Sequence, residues 1–96
     1  PTQEEMDAFF ESHSLEIEQC YIAGTYSNPK LKGEVRVTFT LSPRGDVTDI
    51  FDDDSAIADV SVVECVMDVV SSLSYPSGGT SPQEYTHTFH FGQDKS

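Results

Sequence analysis

This 96-residue sequence contains two cysteines, Cys20 and Cys65. Cysteines can act in catalysis, bind a metal or form a disulfide. A nucleophilic thiol needs its pKa lowered by a nearby cation or a helix N-terminus, whereas Cys20 has Glu16 and Glu18 beside it in sequence. A zinc site needs further ligands at a suitable spacing, and the three histidines do not supply them. Two interpretations remain, a disulfide or two buried thiols that act as small apolar residues, and the choice depends on whether the fold brings the two cysteines together.

A run of aspartates between Asp46 and Asp59 raises the question of a calcium site. The loop of an EF-hand combines alternating acidic ligands with a glycine in its middle and a glutamate at its end. Neither "DVTDIFDDDSAI" nor "DDDSAIADVSVV" has both the glycine and the final glutamate. We therefore interpret the segment as a solvated acidic turn, and we expect neither a metal nor a cofactor.

Serine hydrolysis would require Ser55 to meet an acid and one of two histidines, His13 or His87. Many hydrolases hold the catalytic serine in a strained turn of the G-x-S-x-G type. No such segment occurs here. We therefore expect that the chain is not an enzyme and has no catalytic residues.

Two helices should position the cysteines. Thr2 and Glu5 fit a capping box, and apolar residues then recur every three or four positions, which predicts a helix over about 3–24. Valines at the same spacing predict a second helix over about 60–73. Each cysteine lies in the apolar stripe of its own helix.

Three strands should complete the fold. Apolar and polar residues alternate over about 34–42 and again over about 84–91. The turn segment "PRGD" leads from the first of these into a return strand over about 46–52. Strict alternation would turn Asp49 inward in the return strand, and we therefore expect a β-bulge that turns Ile50 inward instead.

These elements, in the order α-β-β-α-β, predict an α+β fold with two helices on one face of a three-stranded antiparallel sheet. We expect a single domain over residues 1–96. The right-handed crossover places the last strand beside the first, which gives the strand order 2-1-3. Because both helices cover one face, Cys20 and Cys65 should meet, and a disulfide closing a loop of about 45 residues would stabilise the fold by roughly 4 kcal/mol. Thr38 and Thr40 should lie on the other face, toward solvent.

The net charge of the chain limits the classes of partner that it can bind. Seventeen acidic side chains against five basic ones give a net charge of -12, which repels a phosphate backbone and anionic lipid headgroups alike. Nucleic acid and bare membrane are therefore poor partners.

The sequence contains neither a long apolar run nor a signal peptide. A disulfide implies an oxidising compartment, and in that case we expect the sequence to be part of a longer protein.

An ordered set of short segments resembles a known family. The segments are CY at 20–21, NP at 28–29, LKGEVRVTFTLSPRGDV at 31–47, DVSVVECV at 59–66, YP at 75–76 and YTHTFHF at 85–91. Together they are similar to the TonB C-terminal domain superfamily, and most of all to the branch at the C-termini of AgmX/PglI-type gliding-motility proteins. That branch has one cysteine late in the first helix and one in the second. The sequence departs from it at residues 52–54, which are three aspartates.

The resemblance implies a periplasmic protein-interaction module at the C-terminus of a protein that is anchored in the inner membrane through a missing N-terminal region. Such modules couple a proton-driven motor to an outer-membrane or periplasmic partner, in transport or in gliding motility. Members of the superfamily capture partner segments by strand addition at an exposed sheet edge. The residues implied for this role are those of the last strand, Glu84, Tyr85, Thr86, His87, Thr88, Phe89, His90 and Phe91.

Other interpretations of the same sequence stay open. The tail, residues 92–96, could cover the edge strand, or the strand could pair with its copy in a homodimer. The chain could also be a small secreted inhibitor or immunity-like protein whose acidic surface blocks a basic cleft. Strand addition through main-chain groups should depend weakly on salt, whereas binding through an acidic surface should weaken steeply as ionic strength rises.

Overall fold

The structure is a computed structural model, and it describes residues 2–75 and 79–92. Within those residues the chain forms three helices and four strands. In order they are α1 (Gln3–Ser12), α2 (Ser14–Thr25), β1 (Gly33–Leu41), β2 (Val47–Asp52), β3 (Ala56–Ile57), α3 (Val60–Ser72) and β4 (Gln83–Phe91). The predicted α+β class with an antiparallel sheet is confirmed. The predicted numbers of two helices and three strands were wrong, because one helix is divided and a short strand was missed.

The helix predicted over 3–24 is divided at His13. The capping box of Thr2 and Glu5 begins α1 as expected. Before the bend, the Ser12 hydroxyl donates a hydrogen bond to the backbone carbonyl of Phe9, a bond that competes with the helical pattern. His13 has φ -109° and ψ 19°, which is not helical. The apolar spacing continues across the bend, and for this reason the periodicity did not reveal it.

β1 is the centre of the sheet. β2 and the short β3 pair with one side of β1 and β4 pairs with the other side, all antiparallel. The three long strands thus have the predicted order, with the last beside the first. β3 was missed because it consists of two residues, Ala56 and Ile57, which pair with Gly33 and Glu34.

The expected bulge lies in β2. Thr40 is opposite Asp49 and Leu41 is opposite Val47, so that one residue between them has no opposite residue in β1. Beyond the bulge, Ile50 is opposite Phe39 and packs against the core. The prediction that Ile50 turns inward is confirmed.

The core lies between the helices and one face of the sheet. Its largest fully buried side chains are those of Met6, Phe10, Val35, Val37, Phe39, Leu41, Val62, Val66 and Val70. Gly24 allows α2 to approach α3 closely, because a Cβ at this position would lie 2.7 Å from Val62 Cγ2.

The Cα atoms of Cys20 and Cys65 are 5.6 Å apart and the two residues form a disulfide, which confirms the predicted bond. None of the described helices combines the length and the apolar character needed to cross a membrane.

Thr38 corrects the expectation of a solvated outer face. It lies on the face opposite the helices, yet its side chain is only 4% exposed. The Thr38 hydroxyl donates a hydrogen bond to Asp53 Oδ2 at 2.7 Å and lies 2.8 Å from Thr86 Oγ1. The acidic segment after β2 thus folds over part of this face, which the alternation of residues along β1 could not indicate.

Candidate functional site

The last strand, β4, is an edge of the sheet. β1 pairs with one of its sides along the whole strand, from Leu41 opposite Gln83 to Gly33 opposite Phe91. No strand in the described part of the chain pairs with its other side. All eight residues of the predicted binding segment, 84–91, belong to β4. The tail considered as a cover for this edge was residues 92–96, of which 93–96 lie outside the described residues.

The direction of the backbone groups in β1 follows from Arg36. The Arg36 carbonyl accepts a hydrogen bond from the backbone N–H of Asp53 at 2.8 Å, and its own N–H donates to Ser55 Oγ at 2.9 Å. Both groups therefore point to the β2 side, away from β4. Successive residues of a strand direct their backbone groups to opposite sides. The backbone N–H and C=O groups of the residues before and after Arg36 therefore point toward β4.

The same alternation identifies the free groups of β4. Val35 and Val37 direct their backbone groups at β4, where Phe89 and His87 are opposite them. Phe89 and His87 therefore form the hydrogen-bonded pairs with β1. Their neighbours direct both N–H and C=O outward, where no other described strand accepts them. These outward groups belong to Glu84, Thr86, Thr88 and His90.

The side chains of β4 alternate as predicted. Tyr85, Phe89 and Phe91 are buried against the helices. His87 points the same way, but 18% of its side chain is exposed, and its Nδ1 lies 2.8 Å from Asp7 Oδ1. A hydrogen bond from Gln3, and next the one from His87, hold the pKa of the Asp7 carboxyl below its ordinary value.

A groove of about 580 Å³ follows the edge strand, between β4 and the two N-terminal helices. The strand wall consists of His87, Thr88, Phe89, His90 and Phe91. The helix wall consists of Asp7, Phe10, Glu11, Ser14, Ile17 and Glu18. None of these described lining residues is a lysine or an arginine. The groove therefore has an apolar floor and a rim that carries three carboxyl groups.

The helix wall was not predicted as part of the site. Asp7, Glu11, Ser14 and Glu18 are spaced by four, three and four residues, which places them on one stripe of a helix. That spacing was a signal in the sequence. Its meaning depends on which stripe of the helices faces β4, and only the tertiary structure shows this.

The aspartates between Asp46 and Asp59, which belong to the acidic surface considered as an alternative binding site, have several structural roles. Asp52 Oδ1 accepts a hydrogen bond from the backbone N–H of Ser55 at 3.0 Å, and Asp53 accepts one from Thr38. Asp59 caps α3, since its side chain accepts a hydrogen bond from the N–H of Ser61. The described residues contain no group of three or more His, Cys, Asp or Glu side chains that could hold a metal ion.

The fold has a known counterpart among solved structures. It is similar to the C-terminal domain of Helicobacter pylori TonB, which was solved in solution by NMR, with a TM-score of 0.54 and 17% sequence identity. The match covers 100% of this chain and 98% of that one. No family model matches the sequence, and no curated protein matches it either. The chain therefore has a TonB-like C-terminal fold.

Proposed function

We propose that this chain is a periplasmic protein-interaction module that binds an extended segment of a partner protein by strand addition at β4. The observation that carries the proposal is a nine-residue strand with one side that pairs with none of the described strands, and with outward backbone groups at Thr86, Thr88 and His90. An extended segment pairs with such an edge through its main chain and gains specificity from alternate side chains. The disulfide supports an oxidising compartment, and the TonB-like fold supports a binding role over a catalytic one.

In this proposal the chain is the C-terminal part of a protein tethered to the inner membrane. Its partner is a segment of an outer-membrane or periplasmic protein, and the anchored region connects it to a proton-driven motor. Transport and gliding motility are the two processes for which such coupling is proposed. The resemblance of the cysteine positions and of the closing "YTHTFHF" to AgmX/PglI-type domains supports the second.

A pair of substitutions at Thr88 tests strand addition. Thr88→Pro removes an outward N–H but no hydrogen bond between β1 and β4, and an edge strand tolerates proline at such a position. Thr88→Ala removes only the side chain. An outer-membrane or periplasmic protein that is retained from cell-envelope extract by the wild type and by Thr88→Ala, but at least about tenfold less by Thr88→Pro, would support the proposal.

Circular dichroism and thermal melting of both variants show whether each is folded. If the folded proline variant retains the partner as well as the wild type does, strand addition at β4 is wrong. Retention that depends instead on the acidic segment 52–54 would favour an inhibitor that acts through its charged surface.

A further inference from the structure

We propose that the groove beside β4 selects partner segments that carry lysine or arginine at every second position. This inference rests on the strand addition proposed above and names the chemistry of the partner. It follows from three observations, which are the direction of the helices along β4, the carboxyl groups on the rim and the apolar floor.

The two N-terminal helices follow the edge strand. Asp7 of α1 contacts His87, and Tyr21 of α2 stacks on Phe91 with ring centroids 5.3 Å apart. The helix wall therefore follows β4 from its middle to its end. An added strand would lie about 4.8 Å beyond β4, and every second side chain of that strand would point to the helix side of the sheet. Those side chains would enter the groove.

The groove offers such side chains a floor and a rim of different character. Phe10 and Ile17 form the floor and are 2% and 3% exposed. Glu11 and Glu18 are exposed at the rim, and Asp7 is 49% exposed. Lysine and arginine fit this arrangement, because their aliphatic stems cover apolar surface while their charged ends reach outward. An acidic side chain in the same place would be repelled.

The opposite face of the edge carries charged groups of both signs, and several of them form pairs. There the side chains of an added strand would meet Glu84, Thr86, Thr88 and His90. Behind them, Glu34 Oε2 lies 3.4 Å from His90 Nδ1, and Arg36 Nε lies 3.9 Å from Asp53 Oδ2. Arg36 thus partly balances the negative charge of this face, whereas the described lining of the groove contains neither lysine nor arginine. Selection for positive charge is therefore stronger on the groove side, which is why the expected pattern is alternating.

The rim also disfavours a second copy of this chain as the occupant. Edge-to-edge pairing of two β4 strands would bring two rims with the same three carboxyl groups together, in a molecule with a net charge of -12. Like charges that are brought close together repel. A basic segment of another protein is therefore the better match, and the homodimer becomes an outcome of the test.

Two synthetic peptides test the inference with the folded, disulfide-bonded chain. Each has nine residues, the length of β4, with threonine at odd positions and either lysine or glutamine at even positions. We expect the lysine peptide to bind at least about fivefold more tightly than the glutamine peptide at low ionic strength. Amide chemical shifts in a titration should move at Thr86, Thr88 and His90.

A matched pair of double variants locates the charge effect. Glu11→Gln/Glu18→Gln neutralises two carboxyl groups of the rim, and Glu64→Gln/Asp68→Asn neutralises two exposed ones on α3. Both raise the net charge equally. We expect the first to weaken lysine-peptide binding about fivefold and the second to change it by less than twofold.

Each outcome separates the inference from the proposed function. Equal binding of both peptides at β4 would overturn charge selection but not strand addition. The lysine peptide could instead move only the amide chemical shifts of Asp52–Asp54, or the two double variants could weaken its binding equally. Either result would show that the groove is not the selecting site. Absence of binding at millimolar peptide, or a dimer that blocks the edge in sedimentation, overturns the inference. Strand addition is then judged by the Thr88 variants alone.

Discussion

Asp7 Oδ1 lies 2.8 Å from His87 Nδ1, and this contact joins the first helix to the middle of the edge strand. The His87 ring also packs against Phe10, with centroids 4.7 Å apart, and against Phe89, with centroids 4.6 Å apart. The same histidine therefore contacts two aromatic rings of the core, lines the groove and connects α1 to the sheet.

We expect Asp7→Ala to lower the free energy of unfolding by less than about 1 kcal/mol, because the pair is partly exposed to water. Glu4→Ala, at an exposed position of the same helix, should have a smaller effect. Urea denaturation of both variants measures the difference. A loss of several kcal/mol in Asp7→Ala would mean that the contact holds α1 in place by itself.

The disulfide should account for a large part of the stability. Cys20 and Cys65 are separated by 45 positions, and closing a loop of that size stabilises a fold by about 4 kcal/mol in the chain-entropy model. The unfolded, unreduced protein should contain no titratable thiol, and reduction should lower the melting temperature strongly. Two free thiols before reduction would contradict the structure.

Phe39 and Thr38 should both be sensitive to substitution, for different reasons. Phe39 is fully buried under the helices, and Phe39→Ala should cost about 3 to 5 kcal/mol. Thr38→Val keeps the shape but removes the hydroxyl that bonds Asp53, and should cost about 1 kcal/mol. Chemical denaturation of each variant tests the order. Equal losses would mean that the helices do not cover the Phe39 face.

Gly24 should not tolerate a larger side chain. A Cβ there would lie 2.7 Å from Val62 Cγ2 and 2.8 Å from Leu31 Cδ2, so that Gly24→Ala should destabilise the fold by about 1 to 3 kcal/mol. Gln19→Ala, at an exposed position of α2, should change stability by less than about 0.5 kcal/mol. Thermal melting of both proteins checks the prediction, and a neutral Gly24→Ala would show that α2 and α3 can separate at no cost.

Acid should destabilise the fold below about pH 4.5. The carboxyl pKa values of Glu5, Asp7 and Asp59 lie below the ordinary 4.5 of Glu and 3.8 of Asp, chiefly because of hydrogen bonds from the Thr2 backbone, Gln3 and Ser61 respectively. The unfolded chain then binds more protons than the folded one, so these contributions are complete above the ordinary values and disappear as pH falls through the lowered ones. Melting temperatures between pH 7 and pH 2.5 measure this loss of stability. In Asp59→Asn, the melting temperature should fall less steeply as the pH is lowered.

The pattern along the chain predicted the elements whose residues face a core. Alternation in β1 and β4 reported the correct inward faces, because burial of one side of a strand leaves a period of two. The disulfide followed because two helical stripes had to share one sheet face. Pairing of β3 was not readable, since it depends on a tight turn in which Asp54 has φ 65°. The groove was also beyond prediction, because it depends on how the bent helices lie along β4.

The bond between Cys20 and Cys65 also limits how far the chain can be stretched. The 45 positions between them would span roughly 160 Å if fully extended, at about 3.5 Å per residue. A force applied between α1 and β4 is transmitted through the covalent bond between the two sulfur atoms, directly from α2 to α3. It therefore bypasses the segment that contains β1 and β2. The domain can therefore carry tension to its edge strand while none of the covalent load passes through the centre of its sheet.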